Sequence, residues 1–214
     1  NNTNLTDSLV NFLDTGLRTL FGNPITTDRL NPNKDSQTLK SVSESELDLQ
    51  KSRGFMRVNH CGEVCAQALY QGQALTARDP VIKIKLQTAA LEENDHLDWC
   101  QTRLTQLNSH TSYLNPLWYI GSLSIGIFAG LAGDRYNLGF LAETEKQVSK
   151  HLASHLQKLP VNDHASRVII EQMYKDEQAH AHTAIEAGAY NLPHLIKYSM
   201  KLSGKIMTTV AYYI

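Results

Sequence analysis

The sequence contains little cysteine, and its first residues do not have the pattern of a secretory signal. The three cysteines, Cys61, Cys65 and Cys100, are odd in number and too few for a framework of disulfides. The N-terminal residues lack a basic stretch followed by an apolar run, so we expect no signal peptide. Together these absences predict a reducing, cytosolic environment.

An excess of charge of either sign is also absent. The 214 residues contain 20 Lys and Arg against 21 Asp and Glu, which gives a net charge of -1. A polyanion is held mainly by basic side chains that release its counterions, so nucleic acid is disfavoured as a partner. With 42% hydrophobic and 19% charged residues, the chain has the composition of a globular protein and the length of one ordinary domain.

The N-terminal part of the chain has a short apolar stripe followed by a polar segment. Leucines recur at helical spacing from Leu5 to Leu20 and the pattern stops at Gly22, which predicts an amphipathic helix. Residues 22–53 are polar and contain two prolines. They are typical of a linker, in which residues 43–50 form a further short helix at most.

From Val58 onward the sequence shows no strand pattern and instead has four long apolar stripes at helical spacing. The four stretches cover residues 57–77, 79–107, 135–159 and 162–189. Their lengths are those that a helical bundle needs. We therefore expect an all-α fold, in which residues 1–52 form the N-terminal helix and linker and residues 53–214 form the bundle.

Polar residues interrupt the apolar stripe of each bundle helix. The second and fourth helices each hold a Glu-x-x-His pair, and the first and third each hold a single Glu. The six residues are Glu63, Glu93, His96, Glu145, Glu177 and His180. Residues three positions apart share one face of a helix, so both members of each pair point inward. The sequence therefore predicts four carboxylates and two imidazoles in one core.

The spacing of these residues repeats. A lone Glu is followed by the Glu of a Glu-x-x-His pair 30 residues later in the first half and 32 residues later in the second. The two halves therefore resemble a duplicated helical hairpin. The acids Glu92 and Asp176 directly precede the paired glutamates, and each could accept the outer N–H of an imidazole across the bundle. The alternative for both is a solvated surface acid.

Buried carboxylates are costly unless their charge is cancelled. Two divalent cations cancel four carboxylates, and a Glu plus Glu-x-x-His set, present twice, is typical of di-iron or di-manganese bundles. Oxygen and nitrogen ligands without a thiolate favour iron or manganese over structural zinc. The alternative is a polar core that holds no metal. Cys61 and Cys65 lack a second pair and are interpreted as structural thiols, and His60 and His151 as structural or proton-moving residues.

Several segments resemble the demethoxyubiquinone hydroxylase family. Arg-Val-Asn-His-Cys-Gly-Glu at 57–63 lies in the most specific of them, residues 53–75. Three further segments are Glu-Glu-Asn-Asp-His-Leu at 92–97, Ala-Glu-Thr-Glu-Lys-Gln-Val at 142–148 and Tyr-Lys-Asp-Glu-Gln-Ala-His at 174–180. The resemblance extends over about residues 53–214. Cys61 departs from it, because the family has a small residue such as Ala at this position.

The resemblance implies a ferritin-like four-helix bundle and a di-iron monooxygenase of ubiquinone biosynthesis. Such an enzyme uses O₂ to hydroxylate the ring of a polyprenylated demethoxyubiquinol. The six inward residues match the family's ligands to two iron ions, with Glu93 and Glu145 as candidates for bridging or shifting carboxylates. Electrons come from the quinol or from a nicotinamide cofactor, for which the sequence has no Gly-rich dinucleotide fingerprint.

Two segments are candidates for contact with a membrane. Residues 104–133 contain no Lys, Arg, Asp or Glu, and they dip into a bilayer surface or pack on the bundle as the start of the third helix. In the C-terminal amphipathic helix an apolar stripe accompanies three lysines, which is typical of a helix on an anionic surface or of ordinary packing. The apolar stripe comprises Leu192, Ile196, Met200, Met207 and Val210, and the lysines are Lys197, Lys201 and Lys205.

The expected partners follow from this interpretation. They are a membrane-dissolved quinol, O₂ and the membrane surface, with an accessory lipid-presenting protein and a homo-oligomer as further candidates. The expected location is peripheral, on the cytoplasmic face of the bacterial inner membrane. The alternatives are a ferritin-like ferroxidase, a di-iron hydroxylase of a tRNA base and a structural membrane-bound bundle. A tRNA enzyme should show a basic patch, which this nearly neutral chain does not suggest.

Overall fold

The computed structural model describes residues 5–22, 24–27, 29–33 and 45–214, and within these ranges the chain is helical without strands. The described residues form seven helices: α1 Leu5–Phe21, α2 Glu46–Thr76, α3 Pro80–Gln106, α4 Asn115–Leu131, α5 Asp134–Lys158, α6 His164–Glu186 and α7 His194–Tyr213. The prediction of an all-α fold is confirmed. The side chains of Leu5 and Leu9, which belong to the predicted N-terminal stripe, lie outside the described part.

The ends of the bundle helices lie where the sequence places capping residues and prolines. Helix α3 begins after Asp79, whose carboxylate accepts a hydrogen bond from the backbone N–H of Val81, and Pro80 occupies its first turn. Helix α6 begins after Asp163, which caps the N–H of Ser166 in the same way. These starts agree with the predicted ones to within about two residues.

The first bundle helix is longer than predicted. The sequence placed its start near Arg57, whereas α2 begins at Glu46 and continues without a break. Ser45 caps it by accepting a hydrogen bond from the backbone N–H of Asp48, and Glu46 and Asp48 are acidic in the first turn. Capping therefore extends the helix through a polar segment that has no apolar stripe. The division of the chain at residue 52 stays a prediction.

The bundle consists of two helical hairpins, α2 with α3 and α5 with α6. One apolar cluster fills the end of the bundle that includes Met56, Trp99 and Ile169. A second cluster, which includes Tyr70 and Leu138, fills the other end. The predicted ligands lie between these two clusters along the sequence of every bundle helix. This arrangement places a polar layer inside an apolar core.

Helix α4 is a separate helix that packs on α2, so the uncharged segment does not form the start of the third bundle helix. The two backbones approach closely: a Cβ on Gly72 would meet the backbone of α4, and one on Gly126 would meet the backbone of Leu69. Gly133, with φ of 107°, ends this segment in a conformation that favours glycine, and α5 begins at Asp134.

Helix α7 packs its C-terminal end on α2. Met207 and Ala211 contact the α2 residues Val58 and Cys61, and Trp118 of α4 joins this cluster. The apolar stripe that the sequence identified in this helix therefore lies mostly toward the bundle. A second stripe, Leu195, Tyr198, Leu202 and Ile206, is exposed. No helix in the described part of the chain is long and apolar enough to cross a membrane.

Candidate metal centre

The structure brings the six predicted ligands together in two overlapping groups. The first group is Glu63, Glu93, His96 and Glu177, and the second is Glu93, Glu145, Glu177 and His180. The ligand atoms of each group lie within 4.8 Å of one another. All six residues are buried except His180, whose side chain is 11% exposed.

Glu93 and Glu177 belong to both groups, and we call them the shared carboxylates. Glu63 and Glu145 each belong to one group, and we call them the terminal carboxylates. The sequence suggested Glu93 and Glu145 as bridging residues. The alternative for both was a carboxylate that shifts between ligand positions. Of the two, Glu93 belongs to both groups and Glu145 to one, while Glu177 also belongs to both.

Each imidazole turns its Nδ1 atom toward the shared carboxylates. Nδ1 of His96 lies 2.9 Å from Oε2 of Glu93 and 3.2 Å from Oε1 of Glu177. Nδ1 of His180 lies 3.1 Å from Oε1 of Glu93 and 3.4 Å from Oε2 of Glu177. Nδ1 is therefore the atom that each histidine offers to a metal ion.

The outer nitrogen of each imidazole meets an acid from the other hairpin. Nε2 of His96 donates to Oδ2 of Asp176 at 2.9 Å, and Nε2 of His180 donates to Oε2 of Glu92 at 2.6 Å. Both predicted acids therefore occupy the predicted positions. A hydrogen bond of this kind fixes the tautomer and the ring orientation of a metal-binding histidine, and it increases its basicity.

The charges of the predicted ligand set are compatible with bound divalent cations. Burial raises the pKa of both terminal carboxylates well above the usual value, and the facing carboxylates raise it further. Burial opposes charge on the imidazoles, but Glu93 and its neighbours raise the pKa of His96 well above the usual value and that of His180 to about 12. These shifts favour the forms that reduce the net negative charge of the buried set, and bound divalent cations would reduce it as well.

Unsatisfied polar atoms support the same conclusion. Oε1 of Glu93, Oε1 of Glu145, Oε2 of Glu177 and Nδ1 of His180 are buried and have no hydrogen-bond partner in the described part of the chain. Buried polar atoms without partners are uncommon in native proteins. These four atoms belong to the predicted ligand set, and a bound metal ion is a partner that they fit. Other buried atoms without a partner in the described part of the chain, such as Oη of Tyr70 and Nδ1 of His60, lie outside the set.

Sequence analysis missed the contribution of residues 24–27 and 29–33, which we call the strap. The sequence left open whether the linker lies on the core or away from it, and the strap lies on α3 and α6. Nδ2 of Asn94 donates to the carbonyl of Ile25 at 2.9 Å, and Nη2 of Arg29 donates to Asp176 at 2.5 Å. Asp176 is thereby held from two sides. Burial disfavours its charge, but hydrogen bonds from His96 and Arg29 lower the pKa of Asp176 to about 2.

A second group of histidines lies apart from the ligand set. Nδ1 of His155 lies 2.8 Å from Oδ1 of Asn59, and its ring centroid is 4.0 Å from that of His151. Burial lowers the pKa of His60 and of His151 to about 4. These histidines are therefore neutral, which fits a structural role. Neither Cys61 nor Cys65 belongs to a ligand group in the described part of the chain.

A helical bundle whose core presents a Glu plus Glu-x-x-His set from each of two hairpins defines the class of di-metal carboxylate proteins. Comparison with known proteins gives the family. The family described as "Ubiquinone biosynthesis protein COQ7" matches residues 50–211, and the chain belongs to it.

The relatives cover nearly the whole chain. A protein of Acinetobacter baumannii named 3-demethoxyubiquinol 3-hydroxylase is 51% identical over 211 residues, which is 97% of each chain. Proteins of the same name are 52% identical in Nitrosococcus oceani, over 96% of this chain and 94% of that one, and in Coxiella burnetii, over 92% and 90%. The resemblance found in the sequence is confirmed.

Proposed function

We propose that this chain is a di-iron monooxygenase that hydroxylates the ring of a polyprenylated 3-demethoxyubiquinol with O₂. The observation that carries this proposal is the buried ligand set for two metal ions, in a chain about half identical to relatives named 3-demethoxyubiquinol 3-hydroxylase. The ligands are oxygen and nitrogen atoms without a thiolate, a set that suits iron. Bound ferrous iron supplies the electrons that activate O₂, with one oxygen atom ending on the ring and the other in water.

The residues of the chain have distinct parts in this chemistry. The shared carboxylates, Glu93 and Glu177, would hold both ions, and the terminal carboxylates would hold one each. Glu92 and Asp176 orient the two imidazoles. The apolar clusters at both ends of the bundle exclude bulk water from the ligand layer, which strengthens electrostatic interactions within it.

We further propose that the protein associates peripherally with the cytoplasmic face of the bacterial inner membrane, where a polyprenyl quinol dissolves. Trp118 of α4 and Met207 of α7 pack against the same buried cluster, and both helices expose apolar side chains, among them Phe128 and Leu195. Lys201 and Lys205 are exposed on α7 and would face anionic headgroups. Exposed apolar side chains gathered on a helix face are typical of an interaction site.

This membrane contact is tested by cosedimentation with vesicles of phosphatidylglycerol and phosphatidylcholine. We expect Phe128→Asp and Leu202→Asp to reduce binding about tenfold or more, because each places a charge at the apolar boundary. Val161→Asp is the control, since Val161 is also an exposed apolar residue but lies in the loop between α5 and α6. Equal binding by all three variants would contradict the proposed surface.

A ferroxidase is the second candidate function, because the same six ligands support iron oxidation. The exposed apolar faces of α4 and α7 argue against the wall of a soluble iron-storage cage. A hydroxylase of a tRNA base is less favoured, since the net charge of -1 offers no electrostatic attraction to RNA. An accessory lipid-presenting protein, which the poor solubility of the substrate suggests, and a homo-oligomer remain proposals.

A single-turnover experiment separates these functions. Protein loaded with ferrous iron receives a short-chain 3-demethoxyubiquinol and O₂, and the product is weighed by mass spectrometry. The hydroxylase predicts the gain of one oxygen atom on the ring, only when iron is present. Consumption of O₂ with an unaltered quinone would instead support the ferroxidase.

Glu145→Ala provides the matched test of the ligand assignment. We expect this variant to lose iron and hydroxylation while its helicity is largely kept, because it removes one terminal carboxylate. Glu171→Ala, at an exposed position of α6, should behave as the wild type. Full iron loading with undiminished turnover in Glu145→Ala would contradict the assignment.

A further inference from the structure

The strap is tied to α3 beside a predicted metal ligand. The backbone N–H of Thr27 donates to Oδ1 of Asp95 at 2.8 Å, and the Thr27 hydroxyl donates to the other oxygen of the same carboxylate. Asp95 is completely buried and directly precedes His96. A buried carboxylate needs such partners, so Thr27 fixes the course of the strap over this turn of α3.

Arg29 of the strap extends this connection to α6. Its Nη2 donates to Oδ2 of Asp176 at 2.5 Å, and its guanidinium lies 5.0 Å above the ring of Trp99. The same carboxylate oxygen accepts the hydrogen bond from Nε2 of His96. Gln172 donates to the other oxygen at 2.8 Å. Asp176 is therefore held on both oxygens while it orients His96.

The other imidazole has no equivalent support in the described part of the chain. Glu92 accepts from His180, but the Glu92 side chain is 38% exposed, whereas that of Asp176 is 16% exposed. His96 is completely buried and His180 is not. The two halves of the ligand set, although repeated in sequence, thus differ in rigidity and in access to solvent.

We propose that Arg29 is a positioning residue that acts on His96 through Asp176, so that the strap makes the two metal positions inequivalent. His96 and Asp176 are more deeply buried than His180 and Glu92, so the position next to Glu63 and His96 is the more enclosed of the two. This inference rests on the proposed metal centre. It assigns the N-terminal segment, predicted as a linker, to the support of that centre.

The chemistry of arginine suits this role. The guanidinium stays charged under all ordinary conditions, and its planar face packs on Trp99 while its edge donates to a carboxylate. A lysine would keep the charge but lose the stacking. Loss of a partner that orients a metal-binding histidine typically lowers metal affinity about 10- to 100-fold.

The test is a titration of the wild type and of variants with cobalt(II), followed by visible absorption against a competing chelator. The wild type should bind two ions with distinguishable affinities and absorption bands. Arg29→Ala should weaken one of the two ions about tenfold or more and change only the band of that ion. Arg29→Lys should restore part of the loss. Arg18→Ala is the matched control, since Arg18 pairs with Asp14 on the exposed side of α1.

A double-mutant cycle determines whether Arg29 acts through Asp176. The variant with both Arg29→Ala and Asp176→Asn should bind cobalt as Asp176→Asn alone does, because the two residues form one connection. Additive losses would overturn the inference. So would an unchanged titration of Arg29→Ala, or an equal loss of both ions.

The wild-type titration separates this inference from the proposed function. A wild type that binds no cobalt overturns the metal centre and the role of Arg29 with it. A wild type that binds two ions, together with an unaffected Arg29→Ala, overturns the role of Arg29 alone. Circular dichroism of each variant confirms that the helices are intact before these results are compared.

Discussion

The carboxylate of Glu92 lies 2.6 Å from Nε2 of His180, a residue 88 positions later in the chain. Asp176 makes the reciprocal contact with His96. Each hairpin therefore orients the imidazole of the other, and the hairpins are joined at the layer where the metal ligands meet. A shift of one hairpin against the other would misorient both histidines.

Replacement of Glu92 tests this relationship. In Glu92→Ala, His180 keeps its place in the helix but loses the acceptor for its outer N–H, so we expect metal affinity to fall about tenfold at one of the two positions. The measurement is a cobalt titration against a chelator. Glu171→Ala, which removes an exposed acid from α6, should leave affinity unchanged. An unaffected Glu92→Ala would show that the contact does not orient the ring.

Metal binding should release protons and weaken in acid. Burial and facing charges raise the pKa of Glu63, Glu145, His96 and His180, which favours their protonated forms, and metal ions compete with these protons for the same atoms. Affinity therefore rises with pH and falls as acid restores the protons. Calorimetric titration in buffers of different ionisation enthalpy counts the protons released. Release near zero would contradict this competition.

Stability should fall in mild acid because of buried neutral histidines. Burial, and then the charges of His151 and Lys158, lower the pKa of His155 to about 2. Unfolding raises this pKa toward about 6.5, so the unfolded chain binds a proton that the folded chain does not. The contribution of His155 to the free energy of unfolding is therefore fully present above about pH 6.5, and it falls by on the order of 3 kcal/mol by pH 4.

The variant His155→Gln should show a smaller loss of stability between pH 7 and pH 4, although it is less stable at pH 7. Urea unfolding at several pH values measures the difference. His182→Gln, at a side chain that is 71% exposed, is the control and should keep the wild-type dependence. Parallel curves for the wild type and His155→Gln would contradict the assignment of a neutral buried histidine.

Two glycines of α4 form a matched pair for testing its contact with α2. A Cβ at position 126 would meet the backbone of Leu69, whereas one at position 121 would meet nothing. Gly126→Ala should lower stability by about 1–3 kcal/mol, because the added methyl group would clash with the backbone of Leu69, which cannot rotate away as a flexible side chain can. Gly121→Ala should raise it by about 0.5 kcal/mol or more, since Ala favours the helix. Thermal unfolding measures both, and equal effects would contradict the close contact.

The ligand set could be predicted because its residues break a strong pattern. Burying a Glu or His within an apolar stripe costs free energy of folding. A residue of this kind, such as Glu145 between Leu141 and Val148, therefore indicates a function. The acids Glu92 and Asp176 could be predicted as well, because each lies next to a ligand on the same helix. Periodicity and burial cost are properties of the sequence alone.

The remaining features depend on where distant segments meet. Nothing in the spacing of Thr27 and Arg29 shows that they lie on Asp95 and Asp176, because the strap has no periodicity of its own. The start of α2 was missed for a similar reason, since a cap at Ser45 and not an apolar stripe determines it. The packing of α4 could not be deduced either, because a glycine indicates close approach without identifying the partner.

The positions of Glu93 and Glu177 bear on the origin of the bundle from a duplicated hairpin. Each ligand group takes three residues from one hairpin and a single carboxylate from the other. No hairpin holds a complete set, so a lone ancestral hairpin could bind two ions only by pairing with an identical copy about a twofold axis. In a single chain that contains both hairpins, twofold symmetry is no longer required. The residues around each half of the ligand set can therefore differ.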